Sequence, residues 1–141
     1  MTNLNTINTG ENKFCGPSVI SAIAGISTDE AEKVINSARN YNLDRRVTGV
    51  TNHELNAAFE KLGYKIYHIP GVGRKSIFSL MYSMSAVGIY LFYVSYHVVA
   101  IEISSDGKRY LIDNHSKKPL NLSNSARLGQ KVLAVVKLEK R

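Results

Sequence analysis

The chain has one cysteine in 141 residues, three prolines and no tryptophan. One cysteine cannot form a disulfide within the chain, so nothing asks for an oxidising compartment. No apolar run can span a bilayer: the longest, over 86–94, is less than half of the roughly 20 residues a membrane helix needs. The first twelve residues have neither the basic start nor the apolar stretch of a secretory signal. Internal repeats, low-complexity tracts and linkers are missing too. These absences predict a cytoplasmic protein without a membrane segment, folded as a single domain over 1–141. Its polar leader, 1–13, is expected to be extended or mobile.

Lysine and arginine together number 18 against 11 acidic residues, a net charge of +7. The positive residues are dispersed, at 45–46, 74–75, 108–109, 117–118 and along the tail at 137–141. No basic helix or nucleic-acid motif accompanies them, so they read as a solvated surface and argue against a nucleic-acid partner. The eight tyrosines offer rings that could stack on bases, but most fall in strand or helix patterns, where packing accounts for them. No cysteine–histidine pair has ligand-like local spacing, so neither zinc nor another cofactor is called for. The apolar fraction of 44% is that of an ordinary domain with a core of its own.

Helical patterns dominate the first half. Val19, Ile20, Ala22, Ile23 and Ile26 recur at helical spacing, which predicts a helix over 16–24 stopped by Gly25. Ser27 and Glu30, and again Thr51 and Glu54, have capping-box spacing and open helices reaching about Arg39 and Leu62. A loop over 40–50 lies between them. A short strand over 64–69 and a helix over 75–84 follow, then strands at about 88–94, 96–104, 108–113 and 131–139. Helices first and a run of adjacent strands after them define an α+β domain with a mainly antiparallel sheet. The strand over 96–104 is apolar on both faces and should be central, covered on both sides.

The single cysteine stands where the polar leader meets the first helix. With Pro17 suited to the first turn, Cys15 falls at or just before the helix N-terminus, where free N–H groups and the macrodipole favour a thiolate. A thiolate nucleophile needs a base, and the base an orienting partner. Of the four histidines, His53 sits in a capping box and His68 ends a short strand without an acidic neighbour in sequence. His97 opens the most buried strand, where a polar side chain is costly without a partner. The next strand ends at Asp113 and Asn114, and antiparallel pairing brings that end beside His97. A two-residue turn at Asp106-Gly107 would put Asn114 on the face of His97, and a three-residue loop at Ser105-Asp106-Gly107 would put Asp113 there. Asp113 is favoured because a carboxylate better supports an imidazolium. His115 stands nearby as a rival base.

Phe14-Cys15-Gly16-Pro17-Ser18, then Tyr96-His97-Val98-Val99-Ala100-Ile101, then Tyr110-Leu111-Ile112-Asp113-Asn114 together resemble the papain-like cysteine peptidases. Within them the chain is most similar to the bacteriocin-processing double-glycine peptidases. The resemblance implies a papain-like fold in which Cys15 is the nucleophile, His97 the general base and then acid, and Asp113 the orienting carboxylate; Asn114 stays the alternative orienter that the shorter turn would supply. It also implies a glutamine about six residues before the cysteine, donating to the oxyanion. That position is Thr9, and the chain's glutamine is Gln130. Asn12 and Asn8 are the candidates to supply the amide instead.

The expected activity is therefore cleavage of a peptide or amide bond in a protein or peptide substrate through an acyl-enzyme thioester. Transfer to an amine would use the same residues. The competing expectation is a papain-like module, weak or inactive in catalysis, that binds a protein partner through the old cleft. The loop over 40–50 and the stretch 64–73 are expected to rim that cleft.

Overall fold

The computed structural model describes residues 2–125 and 127–141. Helix α1 (Cys15–Ala24) ends where Gly25 turns left-handed at φ 78° and its N–H bonds Ser21 O. Helix α2 (Thr28–Ala38) is capped by Ser27, which accepts from the Glu30 N–H. Helix α3 (Asn52–Lys61) has the complete capping box, Thr51 accepting from the Glu54 N–H and Glu54 returning to the Thr51 N–H. Such caps contribute about 1 kcal/mol each. They fix where the helices begin, which is why these boundaries could be read from residue type. Helix α4 (Ile77–Ser83) starts two residues later than its apolar pattern suggests, because Ser76 caps it.

Six strands follow the order β1-β6-β2-β3-β4-β5 in one antiparallel sheet: β1 (Tyr64–His68), β2 (Gly88–Val94), β3 (His97–Ile103), β4 (Arg109–Ile112), β5 (Leu120–Asn121) and β6 (Val132–Lys140). The two-residue β5 and the 3-10 turn after it (Leu122–Asn124) are too short for any periodicity to announce. The fold is α+β, helices packed on an antiparallel sheet, as expected.

Strand β3 lies inside the sheet and is covered on both faces. Val98 and Ala100 join the core formed with α1, α2 and α3, while Val99, Ile101 and Ile103 join the core beneath α4. Both faces being apolar is what a doubly covered strand requires.

The leader is polar in composition yet bound to the body at points over 2–12. Leu4 and Ile7 are buried in the helical core. The Asn5 and Ile7 N–H groups bond Ala22 O and Lys117 O. Thr2 and Asn3 reach Glu102, which is buried on β3. Asn8 and Ser27 form a parallel bridge. Two apolar anchors among eleven other residues make no periodic pattern, so sequence alone shows only a polar leader. The leader's path carries the chain directly to Cys15.

Candidate active site

Cys15 is the first residue of α1. Phe14 precedes it in extended conformation, with no side chain capping the helix. The Gly16 N–H, in that uncapped first turn, and the Val98 N–H both favour the Cys15 thiolate. Pro17, one of the first-turn residues, lacks an N–H that would have had no helical partner. Gly16 is demanded by space: a Cβ there would lie 2.8 Å from Val50 Cγ2. The turn is set by Asn12, whose Oδ1 accepts from the Phe14 N–H at 3.0 Å. Asn12 in turn donates through Nδ2 to Glu32 Oε2 at 2.6 Å and Val47 O at 2.8 Å.

His97 opens β3 after a tight turn in which Tyr96 takes φ 56°. Val94 pairs with His97 across that turn. At the other end of β3 the connection to β4 is the three-residue loop 105–107. Ser104 N bonds Lys108 O at 2.9 Å, and Gly107 is left-handed at φ 82°. The register that results pairs Ile103 with Arg109 and Ala100 with Ile112. Extended by parity, it places His97 and Asp113 on one face and Asn114 on the other.

Asp113 is nearly sealed from solvent at the end of β4. Its Oδ1 accepts from the backbone N–H groups of His115 (2.9 Å) and Ser116 (2.8 Å). Its Oδ2 lies 3.7 Å from His97 Nε2, an ion-pair separation beyond hydrogen-bond length. The same oxygen accepts from Arg127 Nε. Among the described residues, none hydrogen-bonds to His97 Nε2, although that atom is buried.

These contacts set the charge states. Burial pushes the Cys15 thiol up, but the hydrogen bond with His97, the Val98 N–H, the imidazolium charge and the Gly16 N–H outweigh it and hold the thiol below its ordinary value. Burial pushes His97 down, while the facing Asp113 and the Cys15 sulfur raise it further than burial and Arg127 lower it. Asp113 is driven up by burial, but His97, the Ser116 N–H and Arg127 keep it well below the usual carboxylate range. A lowered thiol beside a raised imidazole favours the thiolate–imidazolium pair, the reactive form of a cysteine nucleophile.

The other candidate residues go elsewhere. Asn12 cannot turn its amide toward an oxyanion, because both Nδ2 bonds are spent on Glu32 and Val47; its work is to fix the approach to α1. Asn8 is exposed at its bridge with Ser27 and is not among the residues lining the Cys15 cleft. Asn114 donates to Lys13 O at 3.2 Å. His115 stacks beside His97, ring centroids 6.0 Å apart, and contributes its backbone N–H to Asp113. His53 and His68 are exposed, on α3 and β1.

A cleft of about 470 Å³ opens over Cys15 and His97, within the range of ligand sites. Thr48, Gly49 and Val50 form one wall, and Phe14, Tyr96 and Leu133 expose apolar surface along it. The loop over 40–50 thus contributes a rim. The stretch 64–73 contributes none of the lining, because β1 is an edge strand and β6 and β2 stand between it and β3. Sequence reasoning missed Arg127 and Leu133, which reach the site from the connection to β6 and from its start, far along the chain from any motif.

The chain matches no protein-family model and no curated protein. Its fold, helices packed on a six-stranded antiparallel sheet, is consistent with that of the papain-like peptidase domains. Among solved structures it is similar to the peptidase domain of Streptococcus ComA, a bifunctional ABC transporter involved in a quorum sensing pathway. The TM-score is 0.62 at 14% sequence identity, over 96% of this chain and 97% of that one. The likeness is one of fold, and it agrees with the resemblance to double-glycine peptidases carried by the motifs. Among the described residues, no helix is long and apolar enough to cross a membrane.

Proposed function

We propose that this chain is a papain-like cysteine peptidase or isopeptidase, acting in the cytoplasm on a protein or peptide substrate. The observation that carries the reading is Cys15 and His97 lining one open cleft, with Asp113 3.7 Å behind the imidazole. Cys15 Sγ attacks the substrate carbonyl carbon. The oxyanion that forms lies by the N-terminal end of α1, whose partial positive charge stabilises it. His97, as the imidazolium, gives its proton to the leaving amine as the C–N bond breaks, leaving a thioester on Cys15. Water then attacks the thioester, His97 takes its proton, and the acid is released with the thiolate restored. Asp113 supports the imidazolium throughout.

The side-chain amide of the resembled family has no counterpart at Asn8 or Asn12, so backbone donors carry the oxyanion. One donor fewer corresponds to a rate loss of roughly 100- to 1000-fold, and turnover should be modest. The test is a peptide library read by mass spectrometry, with the wild-type chain and Cys15→Ala. Cleavage by the wild type alone, through an intermediate trapped as a thioester on Cys15, supports the reading. Peptide binding that persists in Cys15→Ala, with no cleavage by either chain, overturns it in favour of a binding module.

A further inference from the structure

The carboxylate of Asp113 faces four donors, three of which it bonds while the fourth, His97, stands off at 3.7 Å. Oδ1 is occupied by two backbone N–H groups, so Oδ2 is left for His97, and Arg127 Nε already bonds it. Arg127 is firmly seated. Its Nη1 donates to Gln130 Oε1 at 3.2 Å, and the Gln130 N–H closes a turn onto Arg127 O. That turn is bound to α4, where Phe78 N donates to Leu128 O and Ile77 N to Gln130 O, each at 3.0 Å. Meanwhile, among the described residues, His97 Nε2 is buried without a hydrogen-bond partner, 3.7 Å from the oxygen it would use. An unsatisfied buried N–H is costly enough to need a reason. Around the imidazole stand Cys15 from α1, Asp113 and His115 from the segment after β4, and Arg127 from the connection to β6.

We propose that Arg127 is a positioning residue that competes with His97 for Asp113 Oδ2, holding the carboxylate back from the imidazole. The proposal deepens the peptidase reading and rests on it for its catalytic meaning. The guanidinium draws Oδ2 toward itself and opposes a second positive charge on His97. Removing it releases Oδ2 to the imidazolium, which is then held more tightly. Arg127 thereby fixes the upper end of the pH range over which the thiolate–imidazolium pair survives.

The experiment is a titration of the His97 ring by NMR, with the pH profile of Cys15 alkylation by iodoacetamide recorded alongside. The chains are wild type, Arg127→Gln, Arg127→Met and Arg127→Lys. Arg127→Gln should raise the His97 midpoint by about one pH unit, the size of effect a close charge has, and extend the alkaline limb of the alkylation profile equally. Arg127→Met keeps the stem and should give the same rise, so it decides the matter should Arg127→Gln fail to fold. Arg127→Lys retains the charge and should stay near wild type. A midpoint unchanged or lowered in the charge-removing variants overturns the proposal, since loss of a merely structural contact alters melting without moving the titration upward. No substrate is used, so an absence of peptide cleavage would tell against the peptidase reading and leave this result standing.

Discussion

The sheet has a cavity on each side. One, of about 570 Å³, lies beside α4 and is lined by Phe78, Met81, Tyr82, Lys108, Arg109 and Leu128, among others. The other, of about 470 Å³, lies beside α1 and holds Cys15 and His97. The larger has exposed aromatic rings and two cations, but, among the described residues, no nucleophile paired with a base. The smaller is lined by Cys15 and His97, with Asp113 buried 3.7 Å behind the imidazole, on or against three separate elements. Volume and apolar surface make a place for a ligand, but chemistry needs a lowered thiol, a raised imidazole and a carboxylate brought together by strand register.

Substitutions on the two sides should separate them. The largest effect is expected at Asp113. Asp113→Asn leaves His97 and the half-buried Arg127 without the carboxylate between them and weakens a buried charge-assisted network, at a cost of about 2 kcal/mol. Urea unfolding should show that loss, and peptide cleavage should fall with it. The same variant isolates a pH effect. Because the folded-state value of Asp113 is lowered, its stabilisation is complete above its unfolded value of about 3.9 and is lost as pH falls below that. Asp29 and Asp106 are also lowered and add to the acid limb. Melting temperatures between pH 6 and pH 3 should therefore fall less steeply in Asp113→Asn than in wild type.

A smaller effect is expected at the cleft wall. In Gly16→Ala the new Cβ meets Val50 at 2.8 Å, and overpacking of this kind costs about 1–3 kcal/mol. Melting should drop accordingly, and KM should rise more than kcat falls, since Val50 lines the cleft. The smallest effect belongs to the far side. Tyr82 is 85% exposed, and Tyr82→Ser should leave both melting and Cys15 alkylation unchanged. Slower alkylation there would mean that the two cavities are coupled through the sheet.

The parts legible in sequence are those fixed by local chemistry. Ser27 and Thr51 announce their helices because a hydroxyl accepting the N3 N–H is a short-range device. Gly107 suits either loop length because it can take φ 82° without strain; only the better support a carboxylate gives an imidazolium favours the three-residue loop, and loop length then decides register. Cys15, His97 and Asp113 come together in the structure from positions 82 and 16 residues apart. Their meeting could be argued because the hairpin is local and the helix start is marked. Arg127 gave no such signal. It belongs to an irregular connection, and its place beside Asp113 depends on bonds from Leu128 and Gln130 to α4, a long-range packing fact. Asn12 departs from its expected role for a related reason. An amide near the cysteine suits an oxyanion hole on sequence distance, but Glu32 and Val47, distant in sequence, had already claimed its donors. Buried Leu4 and Ile7 likewise tie down a leader whose composition alone suggests freedom.

The central claim is that His97 activates Cys15. Its most direct test is the rate of iodoacetamide modification at pH 6.5, followed by intact mass in the wild-type chain, in His97→Ala and in urea-unfolded wild type. A free thiol is only about 1% ionised at that pH, so the folded wild type should react at least tenfold faster than the other two. A folded wild-type rate equal to that of the unfolded chain would contradict the account.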